Sequence, residues 1–168
     1  MRLCRVVVMG PSGVGKTHIG AALATELGLR FVDADDLHSA AAIEWMRAGN
    51  ALSDDDRAPW LARVARALAD APPPGLVVAC SALKRAYRDT LCAAAPDLFF
   101  VELDAPAEVI AARLEWRDGH FMPPTQLAHQ LATLEHLEAE ENGFRLDATW
   151  PDDELVAVAS ELVRAIDQ

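Results

Sequence analysis

Residues 10–17, Gly-Pro-Ser-Gly-Val-Gly-Lys-Thr, fit the pattern G-x-x-x-x-G-K-[ST]. In a loop of this type the backbone N–H groups curl inward and cradle a polyphosphate. Gly10, Gly13 and Gly15 let the chain approach a ligand with no Cβ in the way, and Pro11, Ser12 and Val14 complete the cradle. Lys16 is placed to bridge β- and γ-phosphates, and Thr17 to hold Mg²⁺ through its hydroxyl. The spacing G-x-x-G-x-G does not fit a dinucleotide fingerprint. An ordinary glycine-rich turn is the competing reading. It does not account for the apolar run before the loop or the helical pattern after it, the context this chemistry requires.

Three further clusters carry polar groups suited to phosphoryl transfer. Asp33-x-Asp35 follows a short apolar stretch. Alternate residues of an extended segment point opposite ways, so Asp33 can face a metal while Asp35 faces a substrate hydroxyl. A solvated acidic turn capped by Asp36 is the plainer alternative. His38, beside this loop, reads as a hydrogen-bonding group. The run LVVACSALK has no acid of the Walker B kind, which gives Asp33 more weight as the metal's protein contact. Ser81 can donate to a ligand, and Lys84 and Arg88 share a helical face suited to an anion. Arg113, Arg117 and His120 surround Gly119, in a stretch resembling the arginine-bearing lids of small kinases. Trp45, Trp60, Trp116 and Trp150 read as core or rim residues and not as a base-stacking platform.

The elements that must position these groups alternate. Strands are expected at 3–9, 30–33, 76–80, 98–103 and 144–147. Helices are expected at 16–28, 39–48, 57–71, 84–94, 106–116, 125–138 and 151–166. Helix 16–28 has Ile19, Leu23 and Leu27 on one face and Gly28 as its stop. Pro59 is placed in the first turn of helix 57–71, after Asp54, Asp55 and Asp56. The last helix should turn Leu155, Ala159, Leu162 and Ile166 inward. This alternation predicts an α/β fold with a parallel sheet covered on both faces. Ligands then bind at the carboxyl ends of the strands, where Gly10, Asp33–His38 and Ser81–Lys84 converge.

At 168 residues the chain suits one domain, 1–168, able to bury a core without staples. Cys4, Cys80 and Cys92 are odd in number and lack metal spacing, as expected of reduced thiols in the cytoplasm. The apolar start at residues 3–9 reads as a core strand and not as a signal peptide, and no apolar run is long enough for a membrane. A net charge of −11 argues against nucleic acid as a partner. It also means that any anion site, such as one for nucleotide phosphates, must be made by local cations. The oligomeric state, monomer or homodimer, stays open.

The segments GPSGVGKT, DADDLH, IEWMRAGNALSDDDRAPWL, CSALKRAYRDTL, RLEWRDGHFMP and QLATLE resemble the gluconokinase family. These are small P-loop kinases that phosphorylate D-gluconate on its 6-hydroxyl with ATP. The resemblance runs from about residue 6 to residue 138. It implies a fold like that of shikimate kinase, with strand order 2-3-1-4-5 and a lid at about 113–125. ATP would lie on residues 10–17 with Arg113, and Mg²⁺ on Thr17 and Asp33. Lys16, Asp35 and Arg117 would be catalytic. Gluconate would meet Asp35, His38, Arg57, Ser81, Lys84, Arg88 and His120, with its carboxylate fixed by Arg57 or Arg88 and Lys84 in support of it or of the transferred phosphate. Departures from the family pattern are Ala34 for Gly and Ser39 for Pro. Ala42, Trp45 and Met46 stand in place of N-x-x-K-M, His129-Gln130 in place of S-Q, and 134–137 (Leu-Glu-His-Leu) in place of L-E-P-P. The rival readings are a kinase for another small sugar acid or polyol, and a nucleotide-binding regulatory protein without turnover.

Overall fold

The computed structural model describes residues 3–117 and 124–166. Five strands form one sheet: β1 (Cys4–Met9), β2 (Arg30–Asp33), β3 (Gly75–Ala79), β4 (Phe99–Asp104) and β5 (Gly143–Asp147). Their order is β2-β3-β1-β4-β5, and every pairing is parallel. This is the expected architecture. The helices are α1 (Lys16–Leu27), α2 (Ala40–Arg47), α3 (Asp54–Ala69), α4 (Arg85–Ala94), α5 (Ala107–Glu115), α6 (Pro124–Thr133) and α7 (Asp152–Ile166).

The period of two along each strand sorts the apolar residues between two cores. Val6 and Val8 face Leu23, Ile110, Leu155 and Ala159 from α1, α5 and α7. Val7 and Met9 face Val64, Leu68 and Leu91 from α3 and α4. Both faces of β1 are therefore dry from Val6 to Met9, which explains the apolar run there. The central strand is fixed on both sides, and the loop that leaves it at Met9 starts from a rigid point.

Two boundaries and one buried face differ clearly from the sequence reading. Helix α3 begins at Asp54, because Ser53 and Asp56 form a reciprocal capping box. The Ser53 Oγ accepts from the Asp56 N–H at 3.1 Å, and the Asp56 carboxylate accepts from the Ser53 N–H at 3.1 Å. The three aspartates that read as a loop form its first turn, where the helix dipole favours acids. Pro59 accordingly falls in the second turn. Helix α6 stops at Thr133, short of the expected 138. The Glu135 N–H donates to the Leu83 carbonyl at 2.7 Å, and its carboxylate accepts from the Arg85 N–H at 2.6 Å, so 134–138 crosses to cap α4. Helix α7 turns Leu155, Ala159 and Val163 inward, leaving Leu162 and Ile166 exposed.

Candidate functional site

The loop after β1 has the shape its composition demands. Gly10, Gly13 and Gly15 all have positive φ, at 144°, 84° and 107°. A Cβ on Gly13 would lie 2.6 Å from the Leu114 side chain, so glycine is required there on space as well as on conformation. Helix α1 starts at Lys16 with no side-chain cap and no acid in its first turn. Its leading N–H groups and its positive end are therefore left to a ligand. Lys16 folds back onto the loop, donating to the Pro11 carbonyl at 2.9 Å. Burial pushes its ammonium below the ordinary lysine value, while Asp35 and Asp33 pull it back and Arg117 adds to the depression. Asp33, Asp35 and Arg117 thus all lie within electrostatic reach of Lys16.

Strand β2 delivers Asp33 to the same place. The Thr17 hydroxyl donates to Asp33 Oδ2 at 2.6 Å. Asp33 Oδ1 accepts from the Asp35 N–H at 2.9 Å and caps a single 3₁₀ turn, Ala34–Leu37. Asp33 caps this turn, and the cap of the following helix α2 is Ser39, where the sequence pointed to Asp36. The geometry leaves the Asp35 carboxylate exposed at the mouth. Thr17 and Asp33 offer a hydroxyl and a carboxylate side by side, hard oxygens of the kind Mg²⁺ selects. Among the described residues no cluster of three or more His, Cys, Asp or Glu could hold a metal.

The 3₁₀ turn is fixed from below. The indole N–H of buried Trp60 donates to the Ala34 carbonyl at 2.6 Å, and its ring stacks on His38 with centroids 4.5 Å apart and planes 6° from parallel. His38 Nδ1 is buried without a protein partner, a polar atom available to a ligand. Burial pushes the imidazole below its ordinary value; Asp35 opposes this, and Arg57 and Arg63 reinforce it. Unfolded His38 therefore binds its proton more readily. Its contribution to stability is present above about pH 6.5 and is lost as pH falls below that. Denaturant midpoints at about pH 7.5 and 5.5 should drop more steeply with acid in the wild type than in His38→Gln.

On the other side of the mouth, Arg57 donates to the Tyr87 hydroxyl at 2.8 Å and lies over its ring at 5.1 Å. The Tyr87 hydroxyl donates in turn to Asp54, which also accepts from Lys84 at 3.2 Å. Arg57, Tyr87, Asp54 and Lys84 form one network. Ser81, half-buried, contributes its carbonyl to the Gly10 N–H at 3.3 Å.

Two expected contacts are corrected. Arg88 is fully buried. It donates to Glu141 at 2.6 and 2.9 Å and to the carbonyls of Ala82, Glu135 and His136. Its donors are consumed inside the protein, so it cannot clamp a substrate carboxylate. Nor is the shared face of Lys84 and Arg88 free of acids, since Asp54 and Glu141 pair with them. Arg113 donates to the carbonyls of Val14 at 3.1 Å and Ala148 at 2.6 Å, so it braces the loop from outside. Arg117 is exposed at the end of α5. His120, and the core of the expected lid at 118–123, lie outside the described residues. Tyr87, Trp60 and Gln130 were not singled out as functional from the sequence. The Ser12 N–H donates to Gln130 at 2.8 Å, a contact between residues 118 positions apart.

Comparison with known proteins agrees with this geometry. Residues 6–137 match the family described as "AAA domain". The chain is 43% identical to a gluconokinase of Gluconobacter oxydans over 95% of its own length and 89% of the relative's. It is 44% identical to the thermosensitive gluconokinase of Escherichia coli over 84% of its length and 77% of the relative's. The chain belongs to the gluconokinase family. A crystal structure of a gluconokinase from Sinorhizobium meliloti superposes with a TM-score of 0.89 at 42% identity, covering 98% of this chain and 95% of that one.

Against the gluconokinase pattern, the departures have local explanations. Helix α2, which carries Ala42, Trp45 and Met46, buries none of its residues, so packing does not restrict them. The Trp45 indole is half exposed and donates to the Ala51 carbonyl at 3.0 Å. Leu137 stands where the gluconokinase pattern has proline, and its N–H donates to buried Glu102 at 3.0 Å. Proline could not make that bond.

Proposed function

We propose that this protein phosphorylates D-gluconate on its 6-hydroxyl, using ATP with Mg²⁺, in the cytoplasm. The observation that carries the reading is the exposed Asp35 carboxylate between the Lys16 loop and the Arg57–Tyr87–Asp54–Lys84 network. The phosphates lie along the N–H groups of residues 10–17, with Lys16 at the β- and γ-phosphates. Thr17 and Asp33 would hold Mg²⁺, which would supply neutralisation of charge on those phosphates. Asp35 accepts the proton of the 6-hydroxyl. The oxygen forms its bond to the γ-phosphorus as the bond to the β,γ-bridging oxygen breaks, and ADP leaves. Arg117 approaches from the end of α5 to stabilise the transferring group. The acceptor carboxylate is held by Arg57, with Lys84 beside it, and His38 Nδ1 takes a hydroxyl.

The test is ADP release with ATP·Mg²⁺ and no acceptor, gluconate, glucose, or a panel of other sugar acids and polyols. Release with gluconate above all others supports the reading. Release with another acid alone reassigns the acceptor, and no release with any acceptor points to a regulatory protein.

The two aspartates should fail differently. Asp33→Asn is expected to raise the Mg²⁺ concentration needed for half-maximal rate. Asp35→Asn should lower kcat with ATP affinity kept. Titrating Mg²⁺ and measuring nucleotide binding for both variants checks the assignment; reversed outcomes exchange the roles.

Arg57→Gln is expected to raise KM for gluconate about 10-fold or more, with KM for ATP little changed. Initial rates over both substrates give the two constants. An unchanged gluconate KM would place the carboxylate elsewhere.

A further inference from the structure

Helix α6 touches the site at two points that the catalytic reading leaves unused. Gln130 holds Ser12 twice. Its carbonyl oxygen accepts from the Ser12 N–H at 2.8 Å, and its amide donates to the Ser12 hydroxyl at 3.2 Å. One turn earlier, the Gln126 amide donates to the Gly49 carbonyl at 3.0 Å. Residues four apart lie on one helical face, so a single face of α6 reaches the phosphate loop with one glutamine and the end of α2 with the other. Gly49 closes the turn after α2, the helix that follows the Asp35–His38 segment.

The elements joined in this way are otherwise lightly held. Helix α2 buries no residue, and α6 is anchored by buried Leu127 and by Leu131, partly buried against the same core. With apolar anchorage this limited, the glutamine contacts help set where these helices stand relative to the loop. The paired bonds to Ser12 also fix the first turn of the loop, whose Pro11 carbonyl accepts from Lys16 at 2.9 Å. A shift of α6 is thereby transmitted to the loop on one side and to the acceptor-side helix on the other.

We propose that Gln130 is a positioning residue for phosphoryl transfer, and that Gln126 and Gln130 together make α6 a bridge coupling nucleotide binding to acceptor binding. The acceptor half of this rests on the gluconate reading above. Coupling through such a bridge is reciprocal: each ligand tightens the other by the same factor.

The experiment measures dissociation constants for a non-hydrolysable ATP analogue with Mg²⁺ and for gluconate, each alone and at saturation of the other. It is run on the wild type, Gln126→Ala, Gln130→Ala and the control His129→Ala, an exposed position on the same helix. Thermal unfolding confirms that each variant is folded. The wild type is expected to show mutual tightening of about 5-fold or more. Gln126→Ala and Gln130→Ala should bring that factor toward one, and His129→Ala should keep it. A merely structural role would change stability or single-ligand affinity and leave the ratio untouched. Gluconate binding with the coupling factor unchanged in both glutamine variants, or with no coupling in the wild type, overturns the bridge alone. No gluconate binding by the wild type overturns the acceptor reading and the bridge with it.

Discussion

Lys16→Ala is expected to lower kcat by ~100-fold or more while the fold survives. Among the described residues the lysine's hydrogen bond is to the Pro11 carbonyl at 2.9 Å, so truncation removes little native structure. What it removes is a positive charge held in a half-buried site beside two carboxylates and Arg117. Burial already works against that charge, which is kept because negative charge shifts between phosphate oxygens during transfer. An ammonium placed there before the reaction stabilises that shift with no reorganisation of water. A factor of ~100 corresponds to about 2.7 kcal/mol of transition-state stabilisation. Steady-state kinetics on a variant with wild-type thermal unfolding checks it. A kcat near the wild-type value in a folded protein would remove Lys16 from the reaction.

How much of this was legible in the sequence follows from how local each feature is. The loop at 10–17 is set by strand, glycines and helix start within one short stretch, so its type could be read directly. The Thr17–Asp33 contact follows almost as directly, because β2 and β1 both end at the carboxyl edge of the sheet, with only β3 between them. The sheet order came from the resemblance and not from the alternation of elements, which does not specify it. Contacts across long separations left no local trace. Gln130 lies 118 residues from Ser12, and Glu141 lies 53 residues from Arg88. A helical arginine four residues from a lysine looks like a solvated cation until the chain that covers it is known. The start of α3 was obscured because three consecutive aspartates suit a loop and a helix N-terminus equally well. The capping box of Ser53 and Asp56 decides between them.

The Arg88 correction leads to the second large effect. Arg88→Leu is expected to cost about 3–5 kcal/mol of stability, the range for breaking a buried ion pair by removing one partner. The arginine is fully buried and Glu141 is almost so. Losing the guanidinium leaves the Glu141 carboxylate with only the longer Arg85 contact at 3.7 Å and the Glu138 N–H, and three backbone carbonyls lose a donor. Burial alone works to protonate Glu141, and its hydrogen bonds with Arg88 and the Glu138 N–H more than offset that. The pair also holds 134–141 against α4, so its loss should loosen the segment that follows α6. In a chain of this length the expected fall in Tm is about 6–20 °C. Glu141→Gln should destabilise in the same direction, and Arg88→Leu combined with Glu141→Leu should recover part of the loss, since neither charge is then left alone. The measurement is thermal and urea unfolding of all three, alongside KM for gluconate at a temperature where each is folded. A carboxylate clamp predicts the reverse pattern: wild-type stability with a raised gluconate KM. That outcome would put the guanidinium on the substrate. A large loss of stability with gluconate KM kept would fix Arg88 as the residue that holds the fold's last crossing in place.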